Sequence, residues 1–146
     1  KYDLQINNSN ILDLFSGSGS FGLECMSRGA KKVFFFENYP QTLKVLKRNI
    51  YELKLSEKCK IFETNCLSFN EYEKINDEKF DIIFIDPPYK EKNINFLIER
   101  LLNKEMLSNN GIIIIHRHKK DDVTISGKFK TLDTRLYGIS KIIIGH

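Results

Sequence analysis

Residues Ile82 to Glu91 read IIFIDPPYKE, an apolar run that breaks on a carboxylate, two prolines and an aromatic ring. A run with no polar alternation reads as a strand covered on both faces, as parallel sheets are. Pro87 and Pro88 lack a backbone N–H and have a fixed φ. Neither can continue a sheet ladder or sit inside a helix, so the chain must leave the sheet here. Proline also holds the residue before it extended, which places Asp86 at the strand end with little backbone freedom. The carbonyls of this corner are expected to be open to hydrogen-bond donors.

On either side of this corner, strand-like and helix-like stretches alternate. NILDLF (10–15), KVFFFE (32–37), CKIFET (59–64), FDIIFID (80–86) and GIIIIHRH (111–118) read as five strands. FGLECMSRGA (21–30) reads as a helix closed by Gly29. Residues 41–53 read as an amphipathic helix with Leu43, Leu46, Ile50 and Leu53 at helical spacing, and NFLIERLLNKEML (95–107) as a third helix. Asn109, Asn110 and Gly111 form a turn signal before the fifth strand. Strands separated by helices predict a doubly wound α/β sheet. After His118 the rhythm changes: KFKTLDTRLYG (128–138) and ISKIIIGH (139–146) are strand-like, with only the Tyr137-Gly138 neighbourhood between them. A connection that short cannot be a parallel crossover, so the last two strands are expected to form an antiparallel hairpin.

The bulk numbers set the frame. A chain of 146 residues with 41% hydrophobic content suffices for one domain over residues 1–146, with a core that needs no disulfide or metal. Cys25, Cys59 and Cys66 lie far apart with no C-x-x-C spacing, which suggests neither a disulfide framework nor zinc and fits a cytoplasmic setting. No apolar run approaches the roughly 20 residues of a membrane span, and no signal-peptide pattern opens the chain. Because residue 1 is Lys rather than Met, the beginning of the natural protein is expected to be missing. The formal charge of +4 and pI of about 8.9 are compatible with a polyanionic partner and equally with a merely solvated surface.

Open α/β sheets bind ligands beyond the carboxyl ends of their strands, where strand order reverses. The first strand is followed there by DLFSGSGSFG, with Asp13 at its head and Gly17, Gly19 and Gly22 permitting a sharp turn and close ligand approach at a helix start. A plain strand-to-helix turn is the competing reading. Walker-type phosphate binding is disfavoured, because no Gly-Lys-Ser/Thr follows. Glu37 ends the second strand, where a carboxylate can accept hydrogen bonds from both ribose hydroxyls of an adenosine-containing ligand. Asn65 and Cys66 reach the same edge after the third strand. There Asn65 is a candidate for an adenine edge, with capping of a following helix as the alternative.

The corner Asp86-Pro87-Pro88-Tyr89 meets the [Asp/Asn/Ser]-Pro-Pro-[Tyr/Phe/Trp] pattern of S-adenosylmethionine-dependent methyltransferases acting on exocyclic amino groups of nucleobases. The chemistry explains these residue types. The amino lone pair is delocalised into the ring, so Asp86 and a carbonyl of Pro87 or Pro88 accept the two amino protons and turn the lone pair toward the methyl group. Tyr89 stacks on the extruded base.

Taken together, ILDLFSGSGSFGLECMSRGAKKVFFFE, NCLSF, FDIIFIDPPY and RLYGISKIIIGH resemble the bacterial 16S rRNA guanine-N2 methyltransferases, the small-subunit methyltransferase D family, over nearly the whole chain. The resemblance implies a Rossmann-like class I methyltransferase fold: α/β, a mostly parallel seven-stranded sheet with helices on both faces and an antiparallel C-terminal hairpin. It implies S-adenosylmethionine as donor and a guanine of 16S rRNA, in the small subunit or its assembly intermediates, as acceptor, with the protein acting as a monomer. Carried over by position, Asp13, Ser16, Gly17 and Gly19 line the methionine end of the cofactor, Glu37 its ribose, and Asn65 with Cys66 its adenine. Asp86, Pro87, Pro88 and Tyr89 hold the target amine and base, with Asp86 also beside the cofactor.

The family's basic N-terminal segment, with its Arg-Pro-Thr-like motif, is expected to be missing, since only KYDLQINNSN precedes the first strand. His116-Arg117-His118 stands where many relatives carry an acidic residue and is assigned no catalytic role. Two histidines without a third ligand suggest no metal. Lys90, Lys92, Lys119, Lys120 and Arg135 are candidates for RNA phosphates, with a solvated surface as the alternative. Three other readings stay open: a DNA or 23S rRNA amino methyltransferase, a dinucleotide-dependent oxidoreductase, and a non-catalytic RNA-binding module. The chain has no room for the target-recognition domain that DNA enzymes of this type usually need. An oxidoreductase gives no reason for Asp-Pro-Pro-Tyr, and intact Asp86 and Tyr89 speak against a non-catalytic module.

Overall fold

In the computed structural model, which describes residues 4–68, 70–122, 124–125 and 127–146, Ile82–Ile85 is the carboxyl-terminal part of a central strand. The elements run β1 (Asn10–Leu14), α1 (Ser20–Ser27), β2 (Lys32–Phe36), α2 (Pro40–Glu52), β3 (Cys59–Phe62), a 3₁₀ turn (Glu71–Ile75), β4 (Phe80–Ile85), α3 (Ile94–Asn103), β5 (Leu107–His118), β6 (Thr131–Tyr137) and β7 (Ser140–Gly145). They form one seven-stranded sheet ordered β3-β2-β1-β4-β5-β7-β6. β1 to β5 pair in parallel, and β7 runs antiparallel to both β5 and β6. This is the Rossmann-like α/β arrangement expected, with the hairpin folded back so that β7 rather than β6 meets β5.

Side-chain alternation along each buried strand feeds two cores. Ile11, Val33, Phe35, Ile82 and Ile114 pack with Cys25 and Met26 of α1 and Leu46 and Ile50 of α2. Leu12, Leu14, Phe36, Ile83, Ile85, Ile113 and Ile115 pack on the other face with Leu97, Ile98 and Leu101 of α3. Helices therefore cover both faces, which is why the strands read as continuous apolar runs. Gly22 sits where a Cβ would lie 2.4 Å from the Phe35 ring, so its absence lets α1 close onto β2. Pro40 opens α2, where its missing N–H leaves no hydrogen bond unmade.

Three local expectations shift. Leu53 is exposed just beyond α2, because the helix ends one residue earlier. The third helix stops at Asn103, and Glu105 turns through φ 54° into β5. Asn109-Asn110-Gly111 is not a turn but part of β5, which gains residues against β4: Phe80 pairs with Leu107 while Ile82 pairs with Ile112. Such an irregularity absorbs turn-type residues inside a strand. Among the described residues no helix is long and apolar enough to cross a membrane.

Candidate active site

Strand order reverses between β1 and β4, so the loops leaving their carboxyl ends lie side by side, and the Asp86 amide donates to the Leu14 carbonyl at 3.4 Å. The first loop starts with Phe15 in a left-handed conformation, φ 57°, and continues through Gly17 (φ 56°) and Gly19 (φ 87°). Such a backbone is costly for Phe and open to Gly. Gly19 is the N-cap of α1 and has no side chain to offer its free amides. Asp13, from the strand beneath, supplies that acceptor: its Oδ2 takes the Gly22 amide at 3.1 Å. Among the described residues its Oδ1 is buried without a partner. Burial chiefly, with the nearby Asp86 and Glu37 charges adding and the Gly22 bond opposing, pushes the carboxyl up to about 8.

The other loop residues are also placed by the backbone. The Ser16 amide and hydroxyl both donate to the Phe36 carbonyl, at 3.0 and 3.3 Å. Glu37 Oε1 accepts the Gly17 amide at 2.8 Å, and Oε2 accepts the Tyr39 amide and the Thr42 hydroxyl, each at 3.0 Å. Glu37 thus ties the glycine loop to the start of α2. Asn65 is exposed and closes an Asx turn, its Oδ1 accepting the Leu67 amide at 3.0 Å, rather than capping an α-helix. A cleft of about 480 Å³ is lined by Phe15, Glu37, Asn38, Tyr39, Asn65, Asp86, Pro87, Pro88 and Glu91. It joins Glu37, Asn65 and the proline corner. Cys66 lies beneath it in the core, 2% exposed, and does not line it. Phe15 was not singled out by the sequence, because nothing in its type signals a left-handed residue.

Asp86 and Pro87 also line a second cleft, of about 190 Å³, with Tyr89, His116, Arg117, His118, Ile139 and Ser140. His116 is the residue that sequence reasoning passed over. Its Nδ1 lies 2.8 Å from Asp86 Oδ1 and its Nε2 2.8 Å from Ser140 Oγ. Arg117 points the other way and is buried. It pairs with buried Asp121 and donates to the carbonyls of Pro88 (3.3 Å), Tyr89 (3.4 Å) and Glu91 (3.2 Å). The Pro88 carbonyl also accepts the Glu91 amide at 2.9 Å. Among the described residues the Pro87 carbonyl and Asp86 Oδ2 have no partner; exposed Asp86 and buried Pro87 both sit at the boundary of the two clefts.

Tyr89 is 60% exposed, with the His118 ring edge-on to its ring at 5.6 Å and Lys92 Nζ 5.7 Å from the ring centre. Lys90, Lys119 and Lys120 are exposed, and the Lys119 amide donates to the Ile139 carbonyl, which places it beside the second cleft. Arg135 is engaged by Asp133 at 2.8 Å. A larger hollow of about 620 Å³, by Lys79, Leu107, Ser108 and His146, lies at the opposite, amino ends of β4 and β5. That is the wrong edge for ligands of such sheets. Among the described residues no group of three or more His, Cys, Asp or Glu is placed to hold a metal.

The chain matches the family model Conserved hypothetical protein 95 over residues 2–146. It is 38% identical over 120 residues to the ribosomal RNA small subunit methyltransferase D of Buchnera aphidicola from Acyrthosiphon pisum, a match covering 82% of this chain and 61% of that one. The Haemophilus influenzae protein of the same name is 33% identical over 135 residues, covering 92% and 69%. A solved structure of a Haemophilus influenzae methylase candidate superposes with a TM-score of 0.79 at 29% identity, covering 97% of this chain and 88% of that one. The chain thus spans about three fifths of the Buchnera relative's length.

Proposed function

Because the chain belongs to the Conserved hypothetical protein 95 family and to the small-subunit rRNA methyltransferase D relatives, we propose that it methylates the exocyclic N2 amine of a guanine in 16S rRNA, with S-adenosylmethionine as donor. The observation carrying this reading is that Asp86 and Pro87 line both clefts, one reaching Glu37 and Asn65, the other reaching Tyr89. A donor and an acceptor lodged in the two would meet at Asp86.

The first cleft suits the cofactor. Glu37 and Asp86 line it with two carboxylates, which suit a cationic ligand, and the buried, proton-retaining Asp13 lies close to both. Asp13, Ser16, Gly17 and Gly19 would border the methionine end, Glu37 the ribose and Asn65 the adenine, with Cys66 supporting Asn65 from the core. Bound there, S-adenosylmethionine supplies an activated methyl group on a sulfonium.

The chain's own work is placement. Asp86 Oδ2 and the Pro87 carbonyl accept the two amine protons, while the Pro88 carbonyl, already taken by Glu91 and Arg117, holds the loop. Tyr89 stacks on the base. Holding the reacting nitrogen in line can supply roughly 7–11 kcal/mol of the barrier. The proton lost by the product amine goes to Asp86 or to water, which reaches this half-exposed carboxylate. Lys90, Lys92, Lys119 and Lys120 would meet phosphates beside the second cleft.

Tritiated methyl transfer by this chain, on unmodified small subunits, naked 16S rRNA and DNA, tests this reading. N2-methylguanosine from the ribosomal substrate, lost in Asp86→Ala, is expected. Labelled DNA, another nucleoside, or no transfer despite cofactor binding would overturn it.

A further inference from the structure

His116 ends a row that begins at the reacting corner. Asp86 Oδ1, the two ring nitrogens of His116 and Ser140 Oγ are joined by two 2.8 Å contacts across β4, β5 and β7. Adjacent β5 residues point to opposite faces, so His116 looks onto the Asp86 side while Arg117 is buried behind it. A carboxylate is acceptor-only, so the Asp86 contact requires a proton on Nδ1. Ser140 can serve either state of the ring. It donates to Nε2 when the imidazole is neutral and, rotated, accepts from Nε2–H when it is charged.

We propose that His116, with its Nδ1–H on Asp86 and its Nε2 held by Ser140, is a positioning residue that fixes the rotamer of Asp86 and turns Oδ2 toward the substrate amine. The proposal rests on the methyltransferase reading above. With Oδ1 occupied, the carboxylate presents one oxygen to the base, and the amine cannot be captured by the wrong one. The Asp86 side chain is 45% exposed, so without this bond it would be free to turn into solvent.

The same connectivity occurs in hydrolases, where the serine attacks. Here the acid end carries the open oxygen and borders both clefts, so the row is directed at Asp86 and not at Ser140. The other titratable groups near the ring are Arg117 and His118 of β5, Tyr89 of the corner, Lys141 of β7 and Arg135 of β6. Lys141 donates to the Asp121 carbonyl, and Arg135 is engaged by Asp133. Asp13 of β1 acts on Asp86 through charge.

The test has two readouts. Nitrogen-15 NMR of the ring should show Nδ1–H on His116 in the wild-type chain, with that proton's signature altered in Asp86→Asn. Single-turnover methyl transfer should fall roughly ten- to a hundredfold in His116→Ala, as misplacement of a reacting group costs. Affinity for S-adenosylhomocysteine and the melting temperature should stay unchanged. In His116→Asn the amide donor stands near the Nδ1 position. It should recover most of the rate. An Nε2–H tautomer, or equal rates in His116→Ala and wild type while Asp86→Ala is inactive, would overturn the proposal. Absence of transfer by the wild type would overturn the methyltransferase reading and leave the tautomer measurement to decide the positioning bond. Labelling of Ser140 by a fluorophosphonate would reassign the row as a nucleophile.

Discussion

The Asp13 carboxyl is held mostly protonated at neutral pH, raised from 3.8 to about 8 first by burial, then by the Asp86 and Glu37 charges against the Gly22 bond. The folded chain therefore binds a proton that the unfolded chain has lost between about pH 4 and 8. The stability from this site is complete below the ordinary carboxylate range and drains away as pH rises through that window. Asp13→Asn should flatten the fall in urea midpoint between pH 5 and pH 8. Equal falls in variant and wild type would mean that the carboxyl is already ionised in the fold. The sequence placed Asp13 ahead of the glycine loop. Its service as acceptor for the first turn of α1 was not visible, because the acceptor and the Gly22 amide are nine residues apart and meet only when helix and strand dock.

At the level of elements, the exit of β5 secures the loop after β4. Arg117 spends its guanidinium on Asp121 and on the carbonyls of Pro88, Tyr89 and Glu91 in a buried setting. Arg117→Met should cost about 3–5 kcal/mol, since it removes one partner of the buried Arg117–Asp121 ion pair. Adding Asp121→Leu should restore much of that stability, because apolar replacements of a buried pair are often tolerated. Methyl transfer should remain low in the double variant, since the Tyr89 and Glu91 carbonyls have lost the Arg117 donor and the Pro88 carbonyl keeps only the Glu91 amide. Denaturant midpoints paired with transfer rates check this, and full recovery of activity would show that the loop holds itself. The HRH triplet carried no assignment in the sequence. Alternation shows that His116 and Arg117 take opposite faces, but not that β4 lies on one side of β5 and β7 on the other.

Across the whole molecule, chemistry gathers at one edge of the sheet. The carboxyl ends of β1 and β4 and the β6–β7 turn bring Tyr89, Tyr137 and Ile139, all exposed, to the same end as Lys119 and Lys120. If rRNA docks there, Lys119→Ala with Lys120→Ala should weaken binding and lower the slope of log affinity against log salt by about one per lysine. An unchanged slope would put the RNA elsewhere. Strand number, the parallel sheet with its returning hairpin, the glycine loop and the proline corner were all legible, because each depends on local periodicity or on the backbone limits of Gly and Pro. The bulge in β5, the burial of Cys66, the unpartnered acceptors of Asp86 and Pro87, and the Asp86–His116–Ser140 row were decided by tertiary structure alone. They depend on which strands become neighbours, and partners 24 and 30 residues apart are brought together by the sheet order, not by any spacing along the chain.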